Sequence, residues 1–232
     1  INSVLLFNTT MAPESRHLQK IYGEEYYFSG KAWNDGYEDY NAYASKSKHP
    51  WSFMVPKILE LKKGGKILDI GCALGHFLSF MPSSFEKYGT DVSEFAIESV
   101  KTTFPNVNAV PGDISAEKPF NEKFDVITAF DVLEHTLDLR SALRNINSML
   151  KDEGVLIVAV PIASRIHHFF AALGKSFLTT MDSHLTLTTA KAWREIILPE
   201  HFDVLYEFST TWGGRHIPKI DLFQIFILKK KL

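Results

Sequence analysis

The sequence predicts an α/β protein built on a doubly wound, mostly parallel sheet that finishes in an antiparallel pair. Three observations carry this. Between about residue 50 and residue 161, short apolar runs alternate with amphipathic segments of helical period. The stretches between those runs are long enough for the crossovers that parallel strands require. Two strand-like runs then close the chain, separated by only about a dozen residues with no helical period, a spacing that suits a hairpin. At 232 residues and 45% hydrophobic content, the chain can bury one large core.

In chain order, residues 1–48 are polar and aromatic without a clear period, and hold Tyr22, Tyr26, Tyr27, Phe28, Trp33, Tyr37, Tyr40 and Tyr43. Disordered tails are poor in rings, so this stretch is expected to pack as a cap on a domain spanning 49–232. Trp51, Met54, Val55, Ile58 and Leu59 recur at helical spacing; Pro56 kinks that helix or delays its start, and Gly64-Gly65 end it. KILDIG (66–71) reads as a buried strand and FEKYGTD (85–91) as a weaker one. Ser93 can cap a helix carrying Ala96, Ile97, Val100 and Phe104. VNAVPGD (107–113) reads as strand then turn, and FDVITAF (124–130) as strand. Asp138 can cap a helix with Leu139, Ala142, Leu143, Ile146, Met149 and Leu150 on one face. Asp152-Glu153-Gly154 reads as a turn into the strand VLIVAV (155–160). After Pro161 the rhythm breaks: residues 162–187 carry Ile166, Phe169, Phe170 and Leu173 at helical spacing and read as an inserted lid or acceptor segment. A helix at 189–198, stopped by Pro199, leads into the strands FDVLYEFS (202–209) and DLFQIFILK (221–229). Lys229, Lys230 and Lys231 read as a solvated basic end.

Composition narrows the function. A formal net charge of -2 gives no whole-chain attraction to nucleic acid. The single cysteine, Cys72, allows no intramolecular disulfide or cysteine metal cluster and favours a reducing compartment. The nine histidines include no H-E-x-x-H spacing, and His167-His168 are adjacent, so no metal is expected. No apolar run reaches the roughly 18 residues of a membrane span, and INSVLLFNTT lacks the basic region and apolar length of a signal peptide. The expectation is a cytoplasmic protein without membrane contact.

Four stations lie at the ends of the parallel strands, where open α/β sheets bind ligands. The first is Asp69-Ile70-Gly71-Cys72-Ala73-Leu74-Gly75, a strand running through a glycine turn into a helix whose start offers free N–H groups. Taken alone, such a turn needs no ligand. A dinucleotide fingerprint fits poorly because Ala73 stands between Gly71 and Gly75, and a P-loop fails at Gly75-His76-Phe77. The second station is Asp91, 22 residues after Asp69, placed to accept from both hydroxyls of a ribose, with Val92 beside an adenine face. Its bland reading, a helix cap, is already met by Ser93. The third is Gly112-Asp113-Ile114, which suits the exocyclic amine of adenine but in isolation reads more readily as an ordinary Pro-Gly-Asp turn. The fourth is the strand end at Phe130, where Asp131, Glu134 and His135 gather; a solvated helix cap is the alternative.

In this order and spacing the stations resemble the class I S-adenosylmethionine-dependent methyltransferases, which are Rossmann-like. LDIGCALG resembles their first motif, TDVS their ribose-binding strand end and GDI their adenine contact. FDVITAFDVLEH and LKDEGVLIVAVP are similar to motifs of the small-molecule branch that includes the methyltransferases of ubiquinone and menaquinone biosynthesis. The resemblance covers about 50–161 well and about 184–229 loosely. It implies a seven-stranded sheet with its last strand antiparallel, and S-adenosylmethionine as cofactor. Asp69, Gly71, Cys72, Ala73 and Gly75 would face its methionine part, Asp91 its ribose, and Val92, Asp113 and Ile114 its adenine. Phe130 and Asp131 would lie toward its sulfonium. Two departures stand out. Ala73 replaces a glycine, which is tolerable unless its φ is positive, and His201-Phe202 replaces a Gly-Phe turn.

A sulfonium methyl is already electrophilic, so alignment of the acceptor carries much of the catalysis, with a base required only for a protonated acceptor. His135 and His184, in Asp182-Ser183-His184-Leu185, are the candidate bases, since an unperturbed histidine titrates near pH ~6.5. The implied activity is methyl transfer to a small-molecule acceptor. A nicotinamide-dependent oxidoreductase and a non-catalytic protein keeping the fold are the competing readings.

Overall fold

The computed structural model describes residues 6–7, 21–29, 37–46, 50–162, 186–211 and 222–231. The strands in chain order are β1 (Leu6–Phe7), β2 (Gly65–Ile70), β3 (Phe85–Asp91), β4 (Val107–Pro111), β5 (Phe124–Phe130), β6 (Leu150–Pro161), β7 (Thr186–Leu187), β8 (Phe202–Thr210) and β9 (Phe223–Lys230). Seven of them form one sheet, ordered β4-β3-β2-β5-β6-β9-β8, while β1 and β7 pair separately. Every pair from β4 across to β6 is parallel, and β9 is antiparallel to both β6 and β8. The expected terminal hairpin is present, with its second strand inserted between β6 and β8. Burial explains that order. Ile225, Phe226, Ile227 and Leu228 of β9 are all fully buried, so both faces of the strand need cover, whereas Leu205, Tyr206 and Phe208 leave β8 fit for an edge.

The strand period of two assigns residues to the two faces. Ile67, Val126, Ile157 and Ile227 point to one side, under Trp51, Met54, Ile58, Phe77, Ile97 and Val100. The covering helices there are α3 (Val55–Leu61), α4 (His76–Ser79) and α5 (Glu94–Thr103), which follow α1 (Glu24–Phe28) and α2 (Tyr40–Lys46) in the chain. Leu68, Ile127, Leu156 and Leu228 point to the other side, under Leu143, Ile146 and Trp193, from α6 (Leu139–Met149) and the turn after α7 (Ala190–Ala192). Both expected caps form: Ser93 accepts from the Ala96 amide at 3.1 Å and Asp138 from the Ser141 amide at 3.0 Å. Pro56 sits in the first turn of α3, so that helix starts late instead of kinking.

Three local expectations differ. Asp152-Glu153-Gly154 is no turn; β6 runs through it, and the surplus is taken up as a register shift opposite Phe124 and Val126 of β5. The helix expected at 189–198 is one short α turn that widens into a π turn at Trp193–Ile197 and tightens to a 3₁₀ turn around Pro199. The lysines do not form a loose end. Lys229 and Lys230 close β9, where Lys230 reaches Asp152 at 2.9 Å, and Lys231 just past it bonds the Pro199 carbonyl at 2.9 Å. The replaced glycine before β8 is harmless, since His201 has φ -130 and its carbonyl accepts from Asn147.

The core residue Ile146 has no exposed surface. In urea unfolding, Ile146→Ala is expected to lose about 2–5 kcal/mol, against about 1 kcal/mol for loss of the cap in Asp138→Ala.

Candidate active site

The parallel register sets the four stations side by side. Ile70 of β2 lies opposite Thr90 of β3 and Ala129 of β5, and Asp91 of β3 opposite Pro111 of β4. The third, second, first and fourth stations therefore follow one another along neighbouring strand ends. At about 4.8 Å per strand the row is about 15 Å long.

The loop after β2 is wound tightly. Gly71, Ala73 and Gly75 all have positive φ, at 69°, 47° and 81°. A Cβ on Gly71 would stand 2.3 Å from Val132 Cγ2, so only glycine lets the two strand ends approach. Ala73 meets the condition under which a side chain is not free of cost: a left-handed conformation costs a non-glycine residue about 1–2 kcal/mol. That strain is held by bonding to β3. The amides of Gly71 and Cys72 donate to the Thr90 carbonyl, and the Ala73 amide donates to Asp91 Oδ2 at 2.9 Å. The following helix α4 has only four residues, so its dipole adds little; the loop itself shapes this station.

Asp91 does two structural tasks at once. Oδ2 takes the Ala73 amide and Oδ1 takes the Ser93 amide at 2.9 Å, joining the loop to the start of α5. Each oxygen keeps acceptor capacity, because a carboxylate offers about four lone-pair sites. Val92 next to it is partly exposed. Asp69 lies deeper, accepting from the Thr128 hydroxyl at 2.6 Å. Burial pushes its carboxyl up to about 7, against the Thr128 bond and with help from the Asp91 charge. Cys72 is buried beside Gly89, and burial raises its thiol well above the ordinary range, which makes it inert packing. Asp113 accepts from both the amide and the hydroxyl of Ser115. The Ile114 side chain is committed to the core, and its carbonyl accepts from Asn145.

At the fourth station Phe130 is a core ring, stacked on Trp51 at 5.3 Å and edge-on to Phe77. Asp131 has φ +56, and its Oδ2 accepts from the Trp51 indole N–H at 3.0 Å. Its Oδ1 is buried with no partner, as are both oxygens of Glu134. Burial raises both carboxyls above their usual range, and the Asp131 charge adds to the rise at Glu134. His135 Nε2 lies 3.8 Å from Glu134 Oε1, and His135 Nδ1 lies 3.3 Å from the Tyr22 hydroxyl. His184 lies outside the described residues, as does Trp33.

The aromatic segment meets this row from above. Tyr26, Tyr27, Tyr37, Tyr40 and Tyr43 pack on Ala73, Leu74, Phe95 and Ala96, and Tyr22 meets Tyr26 edge-on at 4.9 Å. His76 ties α2 to the loop through Asn41 at 2.8 Å. Burial raises the Tyr26 hydroxyl, with the charges of Asp91, Asp131 and Glu134 adding to the rise and a hydrogen bond to Tyr37 opposing it. Tyr22 and Trp51 are residues that sequence patterns did not single out for the site: Tyr22 sits in a stretch without period, and Trp51 reads as one more apolar helix position. Among the described residues no group of three His, Cys, Asp or Glu side chains is arranged to hold a metal ion, and no helix is long and apolar enough to cross a membrane.

Two stability measurements check this geometry. Gly71→Ala should cost more than about 2 kcal/mol in urea unfolding while Ala73→Gly stays within about 1 kcal/mol of wild type, because the first adds a clash and strain and the second removes strain at the expense of chain entropy. Asp69 binds its proton more tightly folded than unfolded, so its contribution is full below pH ~4 and is lost as the pH rises through about 7. The thermal midpoint of Asp69→Asn should therefore fall less than that of wild type between those limits.

Comparison with known proteins places the whole arrangement. Residues 43–205 match a family described as a methyltransferase domain. The demethylmenaquinone methyltransferase of Staphylococcus aureus is 32% identical over 130 residues, 52% of this chain and 54% of that protein. Phosphoethanolamine N-methyltransferase 1 of Triticum aestivum is 26% identical over 147 residues, 61% of this chain and 26% of that protein. The chain thus spans about half or less of these relatives' length. In structure it resembles the magnesium protoporphyrin IX methyltransferase of Synechocystis, solved with bound SAH, at a TM-score of 0.63 and 14% identity, over 94% of this chain and 100% of that one. The nicotinamide reading finds no support here. The match over 43–205 and the sheet order together show that the chain belongs to the methyltransferase-domain family and has the class I S-adenosylmethionine-dependent methyltransferase fold.

Proposed function

We propose that this protein transfers a methyl group from S-adenosylmethionine to a small-molecule acceptor. The observation that carries the reading is the contiguous row Asp113, Asp91, Gly71, Asp131 along strand ends β4-β3-β2-β5. The residues fit the cofactor. Asp91 has acceptor capacity left for ribose hydroxyls, and Val92 beside it is partly exposed. When bound, the cofactor supplies a methyl on a positive sulfur, which needs an aligned nucleophile and no metal.

His135 is the proposed base. Support comes from the Tyr22 hydroxyl, which lies 3.3 Å from Nδ1 and fixes the ring. The segments 1–48 and 162–187 act together as a cap that excludes water and shapes the acceptor pocket. Support comes from the pairing of Leu6–Phe7 with Thr186–Leu187 and from the bridge between Ile162 and Thr188, which brings the inserted segment back to where it left. His184 belongs to that segment and is the second candidate base.

Calorimetry should show S-adenosylmethionine and S-adenosylhomocysteine binding and NADH not binding. Asp91→Asn should weaken both by about tenfold or more, since a hydrogen bond to a charged group is worth about 1.5–3 kcal/mol. Unchanged affinity in Asp91→Asn would remove the ribose assignment. With an acceptor in hand, His135→Ala should slow transfer by about 10²–10⁴ at saturating cofactor, and Tyr22→Phe should slow it less, with cofactor affinity kept in both.

A further inference from the structure

The end of β5 is held by a residue that the cofactor assignment leaves unused. Trp51 stands ahead of α3 and is 3% exposed. Its ring stacks on Phe130 at 5.3 Å with the planes 19° apart, and meets Phe223 edge-on at 5.5 Å. These contacts fix the plane of the indole, whose N–H donates to Asp131 Oδ2 at 3.0 Å. Asp131 has φ +56, a conformation that aspartate and asparagine tolerate better than most residues. The next residue is Val132, whose Cγ2 would stand 2.3 Å from a Cβ on Gly71. The indole therefore sets how the turn after β5 meets the loop after β2.

The same bond bears on the charge of Asp131. Oδ1 is buried without a partner, Trp51 is the side-chain donor to Oδ2, and no lysine or arginine stands against the carboxyl. The titratable groups that face it are Glu134 from the turn after β5, and Tyr26 and Tyr37 from the aromatic segment, with His135 beyond Glu134 at 3.8 Å. Glu134 and both tyrosines are acids that burial raises, so none of the three lends Asp131 a positive charge.

We propose that Trp51 is a positioning residue: it holds Asp131 in place as a carboxylate, and that charge makes the protein prefer the positive sulfonium of S-adenosylmethionine to the neutral thioether of S-adenosylhomocysteine. This rests on the methyltransferase reading above. No ligand atom has to reach the buried oxygens, because a charge in a low-dielectric interior acts well beyond contact distance. Asp131 as a whole is only half-buried, so its turn reaches the surface. The product lacks the charge that held the substrate, and its release is favoured accordingly.

The dependence on pH has a definite sign. Burial lifts the Asp131 carboxyl to about 7, against the pull of the Trp51 bond. The carboxylate forms as pH rises through that value, and the preference for the sulfonium rises with it. Loss of the indole donor lifts the carboxyl further and moves the rise to higher pH.

Calorimetry from about pH 5.5 to about pH 8.5 gives the ratio of the two affinities, S-adenosylmethionine over S-adenosylhomocysteine, in wild type, Trp51→Phe and Asp131→Asn. Phenylalanine keeps a ring for the stack and drops the N–H. Asparagine keeps an oxygen for the indole and tolerates the positive φ without the charge. Dividing each ratio by that of Asp131→Asn cancels the titration of the ligands' own amino groups. The corrected ratio should rise about tenfold across the range in wild type, and its midpoint should move up by about one pH unit in Trp51→Phe, with S-adenosylhomocysteine affinity retained. The indole N–H signal of Trp51 in the NMR spectrum needs no tryptophan variant: it should shift as pH rises through about 7 in wild type and hold still in Asp131→Asn. A flat corrected ratio with both ligands bound overturns the proposal and leaves the methyltransferase reading standing. A Trp51→Phe curve that matches wild type, or an indole signal that does not titrate, overturns it as well. Failure of wild type to bind either ligand removes both readings together.

Discussion

The carboxylate of Asp91 is the joint on which the site depends. One oxygen holds the Ala73 amide and the other the Ser93 amide, so a single side chain fixes the loop after β2 against the start of α5. Without it, the left-handed turn at Ala73 would lose the bond that offsets its strain. The arrangement also explains why an acidic residue belongs there even before a ligand arrives. Backbone donors from two elements converge on one point, and only a two-oxygen acceptor satisfies both at once.

That joint is expensive in electrostatic terms, because Asp69, Asp91, Asp131 and Glu134 are all removed from water and burial raises each of them. The partners present are hydroxyls, amides and one indole, not cations. The tyrosine cluster deepens the effect: its rings exclude water and supply little compensating charge. The proposed cofactor brings a positive charge toward Asp131. Binding then relieves a cost that the folded chain already bears, and affinity and preorganisation have one source.

Much of the sheet was legible in the sequence because its signals are local. Buried parallel strands write continuous apolar runs, and Ser93 and Asp138 announce their helices with cap chemistry that one residue type satisfies. The strand ends that carry the four stations were legible for the same reason, since the run defines the position of each. What could not be read locally was set by distant partners. The insertion of β9 between β6 and β8 follows from two-sided burial, which the run DLFQIFILK hints at without naming neighbours. The width of the turn at Trp193–Ile197, the register shift opposite Phe124 and Val126, and the capture of Lys230 by Asp152 all arise between segments far apart in the chain. The 3.3 Å approach of Tyr22 to His135 links residues 113 apart, and no period in residues 1–48 points to it.

The aromatic segment also shows how a general fold acquires a particular chemistry. The sheet and its loop supply a place for a nucleoside and a methyl donor, and nothing in them selects an acceptor. Selection needs groups near the end of β5, and two sources provide them. Asp131 and Glu134 come from the turn after β5, with Asp131 held in a left-handed conformation by the Trp51 indole. Tyr22 and Tyr26 come from outside it, carried on a segment whose rings interlock edge to face at 4.7–5.6 Å and lean on Ala73 and Leu74. Edge-to-face stacks fix ring positions. The same rings pack on the loop after β2, so that loop and the proposed base His135 are joined by one continuous set of contacts through Tyr26 and Tyr22.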